Sequence, residues 1–201
     1  MFPVPEKSPA CLVMDLRFLI ERLDDISDLK FSEHVLWFTN VERMSLVGAG
    51  GNRRRPSWIP PYWRLPQSVT SLTIDAASFF LEDIRDMMVQ LPNLNDLSFV
   101  GHVATMDKST ILGIGTALRG RFGGKLRLHR GISYEDTVEM LLEIPTGLRF
   151  TELEICGMYE SLFAMKLAKA CGKTLVKLTY TADLHCKFHP FSRFWHAKYR
   201  H

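Results

Sequence analysis

The chain of 201 residues has no long hydrophobic run. None of its apolar stretches approaches the roughly 18 residues that a membrane-spanning helix needs. Its first twenty residues, MFPVPEKSPACLVMDLRFLI, are not a signal peptide, because Glu6 precedes the apolar run and Asp15 and Arg17 interrupt it. Cysteine is sparse: Cys11, Cys156, Cys171 and Cys186, with no C-x-x-C pair. That excludes a disulfide scaffold and predicts free, largely buried thiols in a reducing compartment. An excess of one charge is also missing. The 25 Lys and Arg residues face 22 Asp and Glu, a net charge of +3, too balanced to mark a nucleic-acid binder by composition. These absences predict an intracellular protein, cytoplasmic or nuclear, with no membrane partner.

Catalytic and cofactor motifs are missing as well. Gly172-Lys173-Thr174 resembles the end of a P-loop, but Leu167 stands where its first glycine belongs. Gly123-Gly124-Lys125 fails likewise, with Arg119 in the glycine slot and Leu126 after the lysine. Gly113-Ile114-Gly115 lacks the third glycine of a dinucleotide fingerprint, and there is no G-x-S-x-G elbow. His185, Cys186 and His189 are the one compact set of metal-ligand types, yet no glutamate completes an H-E-x-x-H pattern and Pro190 follows at once. Asp24 with Asp25, and Glu152 with Glu154, read as solvated carboxylates. The expectation is a protein that is not an enzyme and has no cofactor, metal or small-molecule substrate.

What is there is a repeat. The stretch 91–101, LPNLNDLSFVG, places Leu94, Leu97 and Phe99 on the spacing L-x-x-L-x-L, and Leu97 and Phe99 alternate with polar Asp96 and Ser98. Equivalent anchors stand at Met44, Leu72, Leu126, Leu153 and Leu178, with a weaker copy at Leu16. Each has an apolar or aromatic residue two positions on: Phe18, Leu46, Ile74, Leu128, Ile155 and Tyr180. The steps are 28, 28, 25, 29, 27 and 25 residues, within the roughly 20–29 of one-strand, one-helix repeats.

This period predicts strands over 12–19, 42–47, 69–75, 95–100, 125–129, 150–156 and 174–180. Helices are expected over about 78–90, capped by Ser78, and over about 108–119, ended by Gly120, Gly123 and Gly124. A third follows Ser133-Tyr134-Glu135-Asp136 with Val138, Leu141 and Leu142 inward, and a fourth covers about 159–171 with Gly172 just past its end. The apolar pattern of 20–40 fits helix. Strands alternating with helices also suit a doubly wound sheet. Those strands are buried on both faces and read as continuous apolar runs, whereas these alternate. The expected fold is therefore α/β, a leucine-rich-repeat-like solenoid of six to seven irregular strand-helix units, strands concave and helices convex. Residues 1–11 form an extended lead-in, 12–185 the solenoid with an inserted Gly/Arg/Pro/Trp loop at 48–66, and 186–201 an aromatic and basic cap or tail.

The segments LPQSVTSLTIDAASF, LPNLNDLSFVG, LLEIPTGLRFTELEICG and LAKACGKTLVKLTYT resemble the irregular leucine-rich-repeat region of fungal F-box-type proteins, over residues 40–181. That resemblance implies substrate recognition for a ubiquitin ligase. Two features depart from it. The consensus asparagine after the strand is replaced by Ala77, His102, Gly131 and Met158, so no regular asparagine ladder is expected. The Leu-Pro-x-Glu opening and three-helix pattern of an F-box are absent from the first forty residues, so a ligase adaptor enters only through an F-box that is cryptic or lies outside this chain.

Residues flanking the anchors should line the open sheet face. The candidates are Arg43, Asp75, Asp96, Lys125, Arg127, His129, Glu152, Glu154 and Lys177, a mixed-sign set that would give a protein partner register more than affinity. A second candidate surface is the loop with Arg53, Arg54, Arg55, Trp58, Tyr62 and Trp63, residue types enriched at interface hot spots. The tail residues Phe188, Phe191, Phe194, Trp195 and Tyr199 would cover the open end of the core. The expected function is non-catalytic protein-protein recognition. The alternatives are a structural or regulatory solenoid unrelated to ubiquitin ligases, and a nucleic-acid-associated module using the Arg53–Arg55 loop and the basic tail.

Overall fold

A computed structural model describes residues 12–20, 38–48, 65–75, 79–100, 103–104, 114–118, 122–129, 134–156 and 161–181. The lead-in, the Arg/Trp loop, the aromatic tail and residues 21–37 of the helix expected over 20–40 lie outside these residues; of the rest of that span, Ile20 ends a strand and Thr39–Asn40 form a turn.

Seven strands form one parallel sheet: β1 (Asp15–Ile20), β2 (Arg43–Gly48), β3 (Ser71–Asp75), β5 (Asp96–Val100), β7 (Lys125–Leu128), β8 (Glu152–Cys156) and β9 (Lys177–Thr181). Their order in space is their order in sequence, and the sheet is open. Residue pairs Phe79–Phe80 (β4) and Val103–Ala104 (β6) make a separate two-stranded bridge. The described helices are α1 (Leu81–Val89), α2 (Tyr134–Leu142) and α3 (Ser161–Cys171).

The pairing register runs straight through the anchors. Leu16, Met44, Leu72, Leu97, Leu126, Leu153 and Leu178 stand opposite one another across all seven strands. Phe18, Leu46, Ile74, Phe99, Leu128, Ile155 and Tyr180 form a second row two residues on. Because side chains alternate across a strand, both rows point to one face. From β2 to β8 they are buried and join Ile84, Met87, Val138, Leu141, Phe163 and Leu167 of the helices in one core. At the sheet ends, Leu16, Phe18, Leu178 and Tyr180 are only partly buried.

Three helices differ from the sequence expectation. α1 starts at Leu81, not near 78, because Phe79 and Phe80 are extended in the bridge with Val103 and Ala104. Of the helix expected over 108–119, the described part is one 3-10 turn, Ile114–Ala117. Gly115 there lies against the backbone of Met140 and donates its N–H to Glu143 Oε2 at 3.0 Å. In α2, Leu142 faces outward, not inward. Thr137, Val138, Met140 and Leu141 fill the buried side, and one further step of about 100° carries residue 142 toward solvent.

Repeats are also joined at the strand entries. The carbonyls of Met14, Glu42, Thr70, Gly124 and Thr151 each accept two consecutive N–H groups from the next unit, such as Thr70 and Ser71 on Glu42. Side chains add a ladder of their own. Ser68 donates to the Val41 carbonyl, Asn93 to Gln67, Thr151 to Gly124 and Thr174 to Phe150. Short polar side chains thus tie these strand entries to the ones before them.

Candidate functional site

The second face of the sheet carries the residues flanking the anchors, and they fall into three rows by the same register. On β7, β8 and β9 the first row reads Lys125, Glu152, Lys177, so the sign alternates strand by strand. The second reads Arg127, Glu154, Thr179, and the third His129, Cys156, Thr181. Neighbouring strands lie about 4.8 Å apart, which sets each charge beside its opposite.

Glu154 is the hub. Its Oε2 takes Lys125 Nζ at 2.5 Å and Arg127 Nε at 3.1 Å. Its Oε1 lies 3.7 Å from His129 Nε2. The Lys125 hydrogen bond, aided by the charges of Lys125 and Arg127, holds the Glu154 carboxyl below its ordinary range despite partial desolvation. Glu152 sits between Lys125 at 3.8 Å and Lys177 at 3.7 Å. At the opposite end of the sheet Arg43 pairs with Asp15, and both of those side chains are more than 60% exposed.

The structure brings together Lys125, Arg127, His129, Glu152, Glu154 and Lys177 of the expected face. It sets Arg43 apart at β2, and Asp75 at the end of β3. Asp96 keeps its place in the first row, but its carboxylate is engaged within the sheet. Its carboxylate is turned onto the backbone, where Oδ1 accepts the Lys125 N–H at 2.7 Å. Asn95 beside it accepts the Gly123 N–H at 3.0 Å. The loop residues Arg53, Arg54, Arg55, Trp58, Tyr62 and Trp63, and the set His185, Cys186 and His189, lie outside the described residues.

Sequence reading missed one grouping. The ligand atoms of His129, Glu154 and Cys156 lie within 4.8 Å of one another. Their separation in sequence hides them, although residue 129 follows the β7 partner of Ile155 and so falls beside Cys156. Burial and the nearby Glu154 charge push the Cys156 thiol up, and a hydrogen bond with Thr181 works against them. A raised thiol pKa is the opposite of what a nucleophilic cysteine needs. Cys156 and Cys171 are both outside disulfides, the first half-buried and the second buried.

Among the described residues no helix is long and apolar enough to cross a membrane. No family model, no curated protein and no solved structure matches the chain.

Proposed function

We propose that the chain is a leucine-rich-repeat-like solenoid of six to seven units, strands concave and helices convex, and that it works as a non-catalytic protein-recognition module. The observation that carries this reading is the alternating charge lattice on β7, β8 and β9. Lys125, Arg127, Glu152, Glu154 and Lys177 are held in fixed register by the backbone beneath them. A lattice of both signs selects a partner with the inverse pattern and penalises others by like-charge contact. A regular sheet supplies such a face without further backbone ordering, since its strands are already fixed by the core, and leaves only the side chains to be ordered on binding. The resemblance to F-box-type receptors suggests that the partner is a ubiquitin-ligase substrate, with the Arg53–Arg55 and Trp58–Trp63 loop as a second contact.

The test is co-purification with the intact chain, the charge reversals Arg127→Glu and Glu154→Arg, and the double reversal. A partner bound by the intact chain and lost in either reversal, with unchanged circular dichroism, supports recognition through this face. Partners retained by all the variants would place recognition elsewhere. Recovery of a cullin-ligase adaptor would add the ubiquitin-ligase role.

A further inference from the structure

We propose that His129, Glu154 and Cys156 form a binding site for a divalent transition metal on the open sheet face, with Zn²⁺ the ion that suits its ligands. This does not depend on the recognition reading, although the two share Glu154, since it rests on the donor atoms and on the strand register that places them.

Three features of the backbone assemble the site. Glu154 and Cys156 are two residues apart on β8 and so project from the same side. His129 directly follows β7, and its N–H still bonds the Phe99 carbonyl at 2.8 Å, which keeps it in the strand's register. The neighbouring pair Leu128 and Ile155 then sets His129 level with Cys156. The three donor atoms come from two adjacent strands, not from a flexible loop.

The distances suit a tetrahedral ion. Zn–N and Zn–O bonds near 2.1 Å and Zn–S near 2.3 Å put ligand atoms roughly 3.3–3.7 Å apart. His129 Nε2 and Glu154 Oε1 are already 3.7 Å apart, and all three donors lie within 4.8 Å. Small rotations of half-exposed side chains close the difference.

The chemistry of the donors narrows the ion. Imidazole with thiolate favours zinc and its neighbours over magnesium or calcium, which prefer oxygen throughout. One thiolate and one carboxylate oppose the two charges of the ion, with the carboxylate shared with Lys125 and Arg127 through its other oxygen. Binding exchanges ligands and one proton: Zn–N, Zn–O and Zn–S bonds replace Zn–water bonds of the hydrated ion, the displaced waters and the Cys156 S–H proton pass to solvent, and nothing is oxidised or reduced.

The surroundings orient the ligands as outer partners commonly do. Lys125 and Arg127 both hold Oε2 of Glu154, which leaves Oε1 turned toward His129. Thr181 on β9 hydrogen-bonds the Cys156 sulfur. Structural zinc sites close with four protein ligands, whereas a three-ligand site keeps its fourth position for water or an outside donor. Here that position faces away from the core.

The test uses the full chain stripped with a chelator and titrated with Co²⁺ as a spectroscopic stand-in, then with Zn²⁺ in competition. One equivalent should bind, with a thiolate-to-cobalt charge-transfer band in the near ultraviolet. Cys156→Ser should abolish the band. His129→Ala and Glu154→Gln should weaken binding by roughly tenfold or more. Zn²⁺ should raise the melting temperature of the intact chain and not that of Cys156→Ser. Cys186→Ser and His185→Ala/His189→Ala, which alter the other ligand-bearing stretch, should keep the band. Absence of the band in the intact chain would overturn the proposal. So would a band that survives Cys156→Ser and disappears with Cys186→Ser.

Discussion

Asp96 Oδ1 accepts the backbone N–H of Lys125 at 2.7 Å, taking the place of a carbonyl in the ladder between strand entries. At the other steps one carbonyl serves two N–H groups of the next unit. At β5 to β7 the Asn95 carbonyl takes only Gly124, at 3.3 Å, and the Asp96 side chain takes Lys125. This is also the longest step, 29 residues between Leu97 and Leu126. Asp96→Ala leaves that N–H without its acceptor and should destabilise by about 1–3 kcal/mol. Asp96→Asn keeps an acceptor oxygen and should cost less. Urea midpoints of the two variants decide it.

Gly124 belongs to the same joint. A Cβ there would overlap the Asp96 carboxylate and the Asn95 amide. Gly124→Ala must therefore push both side chains off their backbone partners, at about 1–3 kcal/mol. The pair Gly124→Ala/Asp96→Ala should cost less than the sum of the singles, because the clash and the bond share the same atoms. A double-mutant cycle in urea measures that coupling.

The anchor row should report position along the sheet. Leu126→Ala and Leu153→Ala remove fully buried side chains and should each cost about 2–5 kcal/mol. Leu178→Ala on edge strand β9 removes a half-buried one and should cost distinctly less. A thermal melt of the three variants checks the gradient. Equal losses at all three positions would show the edge as well packed as the centre.

Glu154 should make stability acid-sensitive in the chelator-treated protein. Its carboxyl is held low in the folded chain by Lys125, Arg127 and the hydrogen bonds between them. The stabilisation is therefore present above the unfolded carboxylate value, about 4.3, and is lost as pH falls through the lower folded value. Glu154→Gln should cost about 1 kcal/mol or less at neutral pH. That difference should vanish in acid, below the folded value. Urea midpoints across this range test the sign.

Cys171 should titrate against folding in the other direction. Burial pushes its thiol up to about 11, so folding favours the neutral form. Its contribution is complete below the unfolded value, about 8.5, and is lost as pH rises through about 11. Cys171 should also resist alkylation in the folded chain, while half-exposed Cys156 reacts first. Peptide mapping after a short iodoacetamide pulse distinguishes the two.

The sequence by itself determined the sheet. Period-two alternation and the anchor spacing are local properties of the chain, so Met44, Leu72, Leu97, Leu126, Leu153 and Leu178 could be aligned without coordinates, and the register keeps that alignment. The charged face followed, because a residue beside an inward leucine must point outward. Helix detail was less legible. The bridge of Phe79 and Phe80 with Val103 and Ala104 depends on partners far along the chain, and which side of α2 is buried, leaving Leu142 outward, is settled by packing against the rest of the core. Only the tertiary structure decided what each polar group does. Asp96 and Glu152 occupy the same row, yet Asp96 bonds a neighbouring N–H while Glu152 lies between two lysines. His129, Glu154 and Cys156 became neighbours only when β7 and β8 were set side by side. Apolar burial is fixed by pattern, because any core atom will serve. A hydrogen bond or a ligand contact needs a particular atom within about 3 Å, and the fold alone supplies that.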